Sequence, residues 1–444
     1  IPVSQAAHSS FGHHFIPKDD VYVAPRWTEL EFKHIECMNL GCACGFYGGV
    51  TSGKTCTLPD GQKLQRAVRK ELRMHTDDER KEIEKALKAM KRDGTYHRIG
   101  RVHKYAGVHA GPAFIVWHRE FLKRFELIMR KYLPSPHTLG MPYWDSSLDA
   151  VLPDPTDSIM FTELFFGDTD DNDQVVTGPY ANWTTMEGKP AITRKVGEDE
   201  IGELFSRAVL QWVVNQTDIN NVLAATSPLS TCNTDIDERF LEFSHDYVHF
   251  FIGGDMAPSW SASNDVIFHY HHTMVDHIFE LFRHNSQDRQ TRTTAYPATN
   301  NQCFPPWHNV DAPMHMLGSL KNKDGLSNDY TDHMYEYEAR PTCDAVSKDC
   351  GSKYLFCNTF TEEKPFCMSR IRPGGNCTGF EGTHICYGTA CVNGICNTAI
   401  PLAERKVEDK KLRGFKLYCS GSKKETKRLN QQQANCKAQQ LLQF

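Results

Sequence analysis

His245 and His249 sit four residues apart in FLEFSHDYVHFFIGG, so on a helix they share one face. A break at Gly253, Gly254, Asp255 and Pro258 follows, and a second apolar, periodic run begins near Asp265. That run carries His271 and His272. Two imidazoles from one helix and one from the next make a three-nitrogen metal site. Upstream, His103, His109 and His118 offer a second set of three. Two such sets in one region point to a dinuclear copper centre.

A single HxxxH pair says little, because chance supplies about one in a chain this rich in histidine. A lone histidine on an apolar helix face is more often a satisfied core residue than a ligand. The joint pattern carries the reading. His103 and His118 fall on apolar faces, with His109 in the loop between them. His245 and His249 share a face with Val248 and Ile252, and His272 shares a stripe with Phe268, Val275 and Phe279. A buried neutral imidazole needs a partner for each ring nitrogen. Several in apolar surroundings are most simply satisfied by a metal. All-imidazole ligation suits copper or zinc, and one set of three would fit a catalytic zinc. Two symmetric sets with no glutamate ligand beside them favour a copper pair that holds dioxygen between its ions.

These residues need helices to position them. Helical signals begin near Gln62. Thr76-Asp77-Asp78-Glu79 is a capping box, and Ile83, Ala86, Leu87 and Met90 form the stripe behind it. Asp93-Gly94 ends that helix. A short helix over Tyr96–Ala106 turns Ile99, Val102, His103 and Ala106 inward and His97, Arg101 and Lys104 outward. Residues 107–112 form a loop holding His109. Pro112 suits the start of the next helix, where Phe114, Trp117, His118, Phe121 and Phe125 follow at helical spacing. Residues 134–198 read as a long irregular segment, 199–214 as helix, and 285–340 as loop.

Length and composition set outer limits. A chain of 444 residues accommodates a large domain and a smaller module. A net charge of −5 gives no argument for nucleic acid as a partner, and no apolar run is long enough to span a bilayer. Sixteen cysteines are placed unevenly: four between Cys37 and Cys56, eight between Cys343 and Cys396, and none between Cys56 and Cys232. Dense clusters flanking a cysteine-poor core fit disulfide-stapled modules in an oxidising compartment. No paired CxxC knuckles support zinc instead. The sequons at Asn182, Asn215 and Asn376 are compatible with secretion, and a chain opening at Ile1 reads as a mature secreted form. The expected organisation is an arm over 1–21, a main domain over 22–340 with a Cys-rich loop at 37–56, an EGF-like module over 341–398, and a charged tail over 399–444.

HAGPAFIVWHREFLKRFE (109–126), HDYVH (245–249) and HYHHTMVDHIF (269–279) resemble the tyrosinases. These are type 3 copper proteins, grouped with catechol oxidases and mollusc-type haemocyanins, and the likeness is closest to secreted invertebrate tyrosinases. It covers residues 22–340. Pro142-Tyr143-Trp144-Asp145 is similar to the family's PYWDW element, and Tyr335-Glu336-Tyr337 to the tyrosine motif that closes its core, with Arg26 as the N-terminal partner.

The resemblance implies a mainly α fold, with a four-helix-bundle dicopper core, long irregular loops and a small disulfide-rich C-terminal module. It implies two copper ions, one held by His103, His109 and His118, the other by His245, His249 and His272. Periodicity alone does not separate His271 from His272; the family pattern favours His272. Asp246 stands where the family places an acid or amide that helps deprotonate a bound phenol, the alternative being an exposed helix-surface acid. Asp235, Asp237 and Glu238 are candidates to assist it. The implied chemistry is ortho-hydroxylation of monophenols and oxidation of o-diphenols to quinones by dioxygen, on small phenols or protein tyrosines. The alternatives are a catechol oxidase without monophenol activity and an oxygen-binding, haemocyanin-like protein. The Cys-rich module is a candidate for a protein partner or a shield over the site. The chain departs from the family at His269 and His277, which read as spare ligands, pH-sensitive groups or core residues. It departs again at Gly107, where some members carry a cysteine joined to a ligand histidine.

Overall fold

The structure is a computed structural model that describes residues 35–401, apart from 54, 234 and 361–363. The proposed N-terminal arm, Arg26, and the tail cysteines Cys419 and Cys436 lie outside the described residues. The chain divides into two units, 1–398 and 399–444, and every feature below lies in the first apart from the last residues of one strand.

Helix α1 (Leu40–Phe46) lies in the Cys-rich loop, capped by Asn39 and stapled by the disulfides Cys37–Cys42 and Cys44–Cys56. Strands β1 (Val50–Ser52) and β2 (Thr55–Thr57) pair antiparallel behind it. The helical signal near Gln62 does not mature into helix. Residues Ala67–Arg69 form instead a short strand, β3, whose backbone is claimed by a parallel partner 268 residues further on. Helix α2 (Asp77–Arg92) starts at the capping box of Thr76 and Glu79, and Gly94, at φ +81°, turns the chain into the next helix.

Helix α3 (Thr95–Ala106) buries Ile99, Val102, His103 and Ala106, as its periodicity requires. Helix α4 (Ala113–Lys131) is buried almost all round, so its charged residues are paired inside the protein rather than solvated. Helix α5 is shorter than its sequence pattern: only Arg207–Val214 is helical, because Ser206 caps the backbone at Val209 and stops extension backwards. Helices α6 (Leu241–Ile252) and α7 (Val266–Ser286) carry the HxxxH pair and the His271-His272 pair. Asp265 caps α7 and is itself held by Arg194, so the helix begins at a buried ion pair.

After a loop-rich stretch, strand β4 (Tyr335–Tyr337) returns to pair in parallel with β3. The two tyrosines deliver their hydroxyls to Asp276 on α7. Arg69 lies 3.4 Å above the Tyr335 ring and bonds Glu126 and Asp276. Among the described residues, the arginine that partners the tyrosine motif is Arg69.

Residues 343–398 are built on two small hairpins, β5 (Leu355–Asn358) with β6 (Phe366–Ser369) and β7 (Thr389–Val392) with β8 (Ile395–Pro401). Four disulfides, Cys343–Cys357, Cys350–Cys367, Cys377–Cys391 and Cys386–Cys396, replace the core that so short a segment cannot build. The segment packs on the main body through Leu148, Leu152, Asp157 and Ser158, and the Tyr354 hydroxyl lies 2.9 Å from Arg80 of α2. Among the described residues no helix is long and apolar enough to cross a membrane.

Candidate metal centre

His103 reaches the centre from α3, His109 from the loop after it, and His118 from the second turn of α4. One ligand nitrogen of each lies within 4.8 Å of the others. His245 and His249, one turn apart on α6, meet His272 of α7 under the same limit. The two sets face each other: the rings of His118 and His272 stack at 4.5 Å, tilted by only 16°.

In the second set the three Nε2 atoms converge, 2.8 Å from His249 to His245, 3.0 Å from His245 to His272 and 3.2 Å from His249 to His272. The opposite nitrogens of His249 and His245 are already engaged, whereas His272 Nδ1 has no partner among the described residues. His249 Nδ1 lies 2.7 Å from the Met256 carbonyl, and His245 Nδ1 lies 3.2 Å from the Glu242 carbonyl. A carbonyl accepts, so each Nδ1 carries the proton and each Nε2 presents a lone pair. The His245 and His249 lone pairs cannot satisfy one another, and a cation held between them and His272 would satisfy both. In the first set, His118 Nδ1 donates to the Phe114 carbonyl at 2.8 Å, which frees Nε2, and that atom has no partner among the described residues. Neither ring nitrogen of His103 has one either.

Electrostatics agree. Burial pushes the His118 pKa down to about 3 and that of His249 down to about 4. Burial, then the neighbouring imidazoles, holds His103, His245 and His272 well below the ordinary histidine value. Neutral imidazole is the form that binds metal. The donor set, six imidazoles with no carboxylate among them, fits two copper ions.

His271 does not join either set. Its Nε2 lies 3.1 Å from the His245 carbonyl and its ring stacks on His245 at 5.0 Å, so it supports a neighbour. His269 packs on Phe125 at 3.8 Å beside the Tyr96 hydroxyl, and His277 stacks on Tyr337 at 4.3 Å. Both are core residues.

Asp246 is buried rather than an exposed helix-surface acid, and its Oδ1 lies 3.0 Å from His245 Nδ1. Burial, and after it the Glu242 charge, raises its pKa well above the usual carboxylate range. Of the three acids flagged upstream, Asp235 and Glu238 are exposed, and Asp237 is tied to Arg239. The acid that accompanies Asp246 is Glu242, one helical turn earlier. It accepts the Ala110 amide and, at 2.8 Å, the Thr226 hydroxyl. Burial pushes its pKa up to about 8 against the pull of those donors. The i, i+4 spacing of Glu242 and Asp246 is the signal that would have found it.

Five of the six imidazoles are at most 2% exposed; His109 alone is half-buried, and so is Ala110 beside it. Ala110 holds φ at +74°, a conformation fixed by the Glu242 carboxylate on its amide. Gly111 lies under His308: a Cβ there would come within 3.1 Å of the ring, whose Nδ1 accepts the Ala113 amide at 3.2 Å. At Gly107 a Cβ would stand 2.8 Å from the His103 carbonyl oxygen and 2.9 Å from its ring.

The family model for the common central domain of tyrosinase matches residues 93–285, the stretch that contains all six histidines. The tyrosinase-like protein tyr-3 of Caenorhabditis elegans is 42% identical over 379 residues, which is 84% of this chain and 53% of the nematode protein. The chain thus spans about half the length of that relative. A tyrosinase of Streptomyces antibioticus is 30% identical over 239 residues, 48% of this chain and 81% of the bacterial enzyme. Among solved structures, a polyphenol oxidase from Thermothelomyces thermophila aligns with a TM-score of 0.47 at 16% identity, over 64% of this chain and 90% of its own. A helical body with two facing sets of three imidazoles defines the class of dinuclear type 3 copper proteins. Within that class, the chain belongs to the tyrosinase family.

Proposed function

We propose that this chain oxidises phenols with dioxygen, hydroxylating monophenols at the ortho position and converting o-diphenols to o-quinones. The observation that carries the reading is the convergence of imidazole nitrogens, three from each side, in two facing sets. His103, His109 and His118 would hold one copper; His245, His249 and His272 would hold the other. When bound, the two ions supply dioxygen activation and the redox equivalents.

The protein supplies the rest. Helices α3, α4, α6 and α7 are read as a four-helix core that fixes the six rings. Carbonyls of Phe114, Glu242 and Met256 set the tautomers of three of them. A phenol enters past His109. The Asp246 carboxylate, 3.0 Å from His245 Nδ1 and with Glu242 behind it, is the acceptor for the phenol proton.

The chain is read as a secreted glycoprotein. Asn182 and Asn215 are exposed and Asn376 is half-buried, and all three sequons are read as glycosylation acceptors. Residues 341–398 are read as an EGF-like module separate in origin from the domain over 22–340, and as the surface for a protein partner.

The test is copper stoichiometry and the absorption spectrum of the purified chain with and without peroxide, followed by assays on tyrosine and dopa. Two coppers per chain, an intense near-ultraviolet band and turnover of tyrosine support the full reading. Turnover of dopa alone identifies a catechol oxidase. Reversible oxygen binding without turnover identifies a carrier.

A further inference from the structure

The disulfide-rich segment holds a cavity of its own, of about 660 Å³, and none of the six imidazoles lines it. Its size falls inside the range of small-molecule sites, roughly 300–1,000 Å³. Its walls are the loop before β5, β5 itself, Arg370 just after β6, and the turn at Gly382–His384. Cys350 and Cys357 are wall residues, and their disulfides to Cys367 and Cys343 fix the walls covalently. Arg370 donates through Nη1 to the His384 carbonyl, but its buried Nε has no partner. No carboxylate pairs with it among the described residues, and burial lowers its pKa from the ordinary arginine value. Lys348 lines the same cavity, exposed and without an ion pair among the described residues, whereas Lys353 is held by Asp77 at 2.7 Å. Asp349 stands among these cations, one oxygen accepting the Gly351 amide at 2.9 Å. Phe356 and Phe360 supply the apolar wall, and Phe360 is 68% exposed.

A half-buried guanidinium without an anion is costly, and a ligand carboxylate on its free edge repays that cost. The other wall residues narrow the ligand further. A bare inorganic anion uses the cations but leaves the Phe360 ring idle. A fatty-acid anion uses the cations and the rings but brings Asp349 no hydrogen to accept. A neutral sugar serves Asp349 and Phe360 but leaves Arg370 without its anion. A sugar that carries a carboxylate serves all of them at once. We infer that this cavity binds an acidic saccharide of the uronic-acid type. Its carboxylate meets Arg370 and Lys348, its hydroxyls donate to Asp349, and the C–H face of its ring lies on Phe360. The inference is independent of copper and of the phenol chemistry.

The test is calorimetry on the full chain with an unsulfated hyaluronan tetrasaccharide, which alternates glucuronate with N-acetylglucosamine. Chitotetraose is the neutral control, and tetraglutamate and octanoate stand for bare charge and for an apolar anion. The acidic tetrasaccharide is expected to bind at least about tenfold more tightly than chitotetraose, the difference of one charge-assisted contact. Arg370→Gln should remove that preference, and Arg370→Lys should restore only part of it, because the fork is lost. Phe360→Ala should weaken both sugars about tenfold, with Phe360→Tyr recovering most of the loss. Lys348→Gln and Phe360→Ala change exposed side chains, so they keep the test decisive if Arg370→Gln fails to fold. No binding of the acidic tetrasaccharide overturns the inference. So does equal binding of tetraglutamate or octanoate, or binding that ignores Phe360→Ala and Lys348→Gln alike.

Discussion

The hydroxyl of Tyr337 lies 2.6 Å from the Asp276 carboxylate on α7, and Tyr335 donates to the same oxygen at 2.8 Å. Burial alone would raise the Asp276 pKa. Arg119, Arg69 and the Tyr337 hydrogen bond outweigh it, and the net value falls below the ordinary 3.8. The folded state therefore keeps this charge to lower pH than the unfolded chain does. The stability it contributes is complete above the unfolded value and is lost as pH falls through the folded one. Asp276→Asn should cost about 3–5 kcal/mol at pH 7, because it leaves two buried guanidiniums short of a carboxylate. It should also flatten the acid limb of the stability profile. Urea midpoints at pH 7, 4 and 3 read both effects; identical acid limbs would refute the assignment.

His249→Ala should lower bound copper from two ions per chain to about one and weaken the retained site little, because the two sets draw on different loops and helices. Oxidation of diphenols should fall at least about a hundredfold if the reaction needs both ions. Atomic absorption on dialysed protein decides this, and full copper loading in the variant would remove His249 from the ligand set.

Gly107→Ala should cost about 1–3 kcal/mol, because the new methyl meets the His103 carbonyl oxygen at 2.8 Å and its ring at 2.9 Å. The strain falls on the first set alone. Copper loading should drop there and hold in the second set. Equal loss from both, or none, would contradict the geometry.

Asp246→Asn should retain both coppers, since the amide oxygen can still face His245 Nδ1. Turnover of a monophenol should fall about a hundredfold if the carboxylate accepts its proton. Oxidation of a diphenol should suffer less, because a catechol proton is more acidic. Steady-state kinetics on tyrosine and dopa separate the two; equal losses would leave Asp246 a positioning residue only.

Much of this architecture is legible in the chain. The capping box at Thr76, the stripe of α3 and Pro112 before α4 are local signals, and local signals decide where helices start. The inward histidines follow from the same periodicity. What escaped depends on distant partners. Residues 62–75 lack any local reason to be strand; Ala67–Arg69 becomes one because Tyr335–Tyr337 lies alongside. For the same reason Arg69, not a neighbour in sequence, faces the two tyrosines. Ser206 is a stop signal inside a helical pattern and could have been read. Glu242 could have been read as well: it lies at helical spacing from Asp246, but an acid in an apolar run has two meanings until its donors on Thr226 and Ala110 are in view.

The parallel pairing of β3 with β4 also bears on how the molecule is made. Its two strands are 268 residues apart, so the contact order of this one small sheet is very high, and closing so large a loop is a slow event in folding. During synthesis all six imidazoles emerge from the ribosome before Tyr335 does. The strand that bolts the helical body shut is thus among the last parts of it to arrive, after every group it encloses is already present.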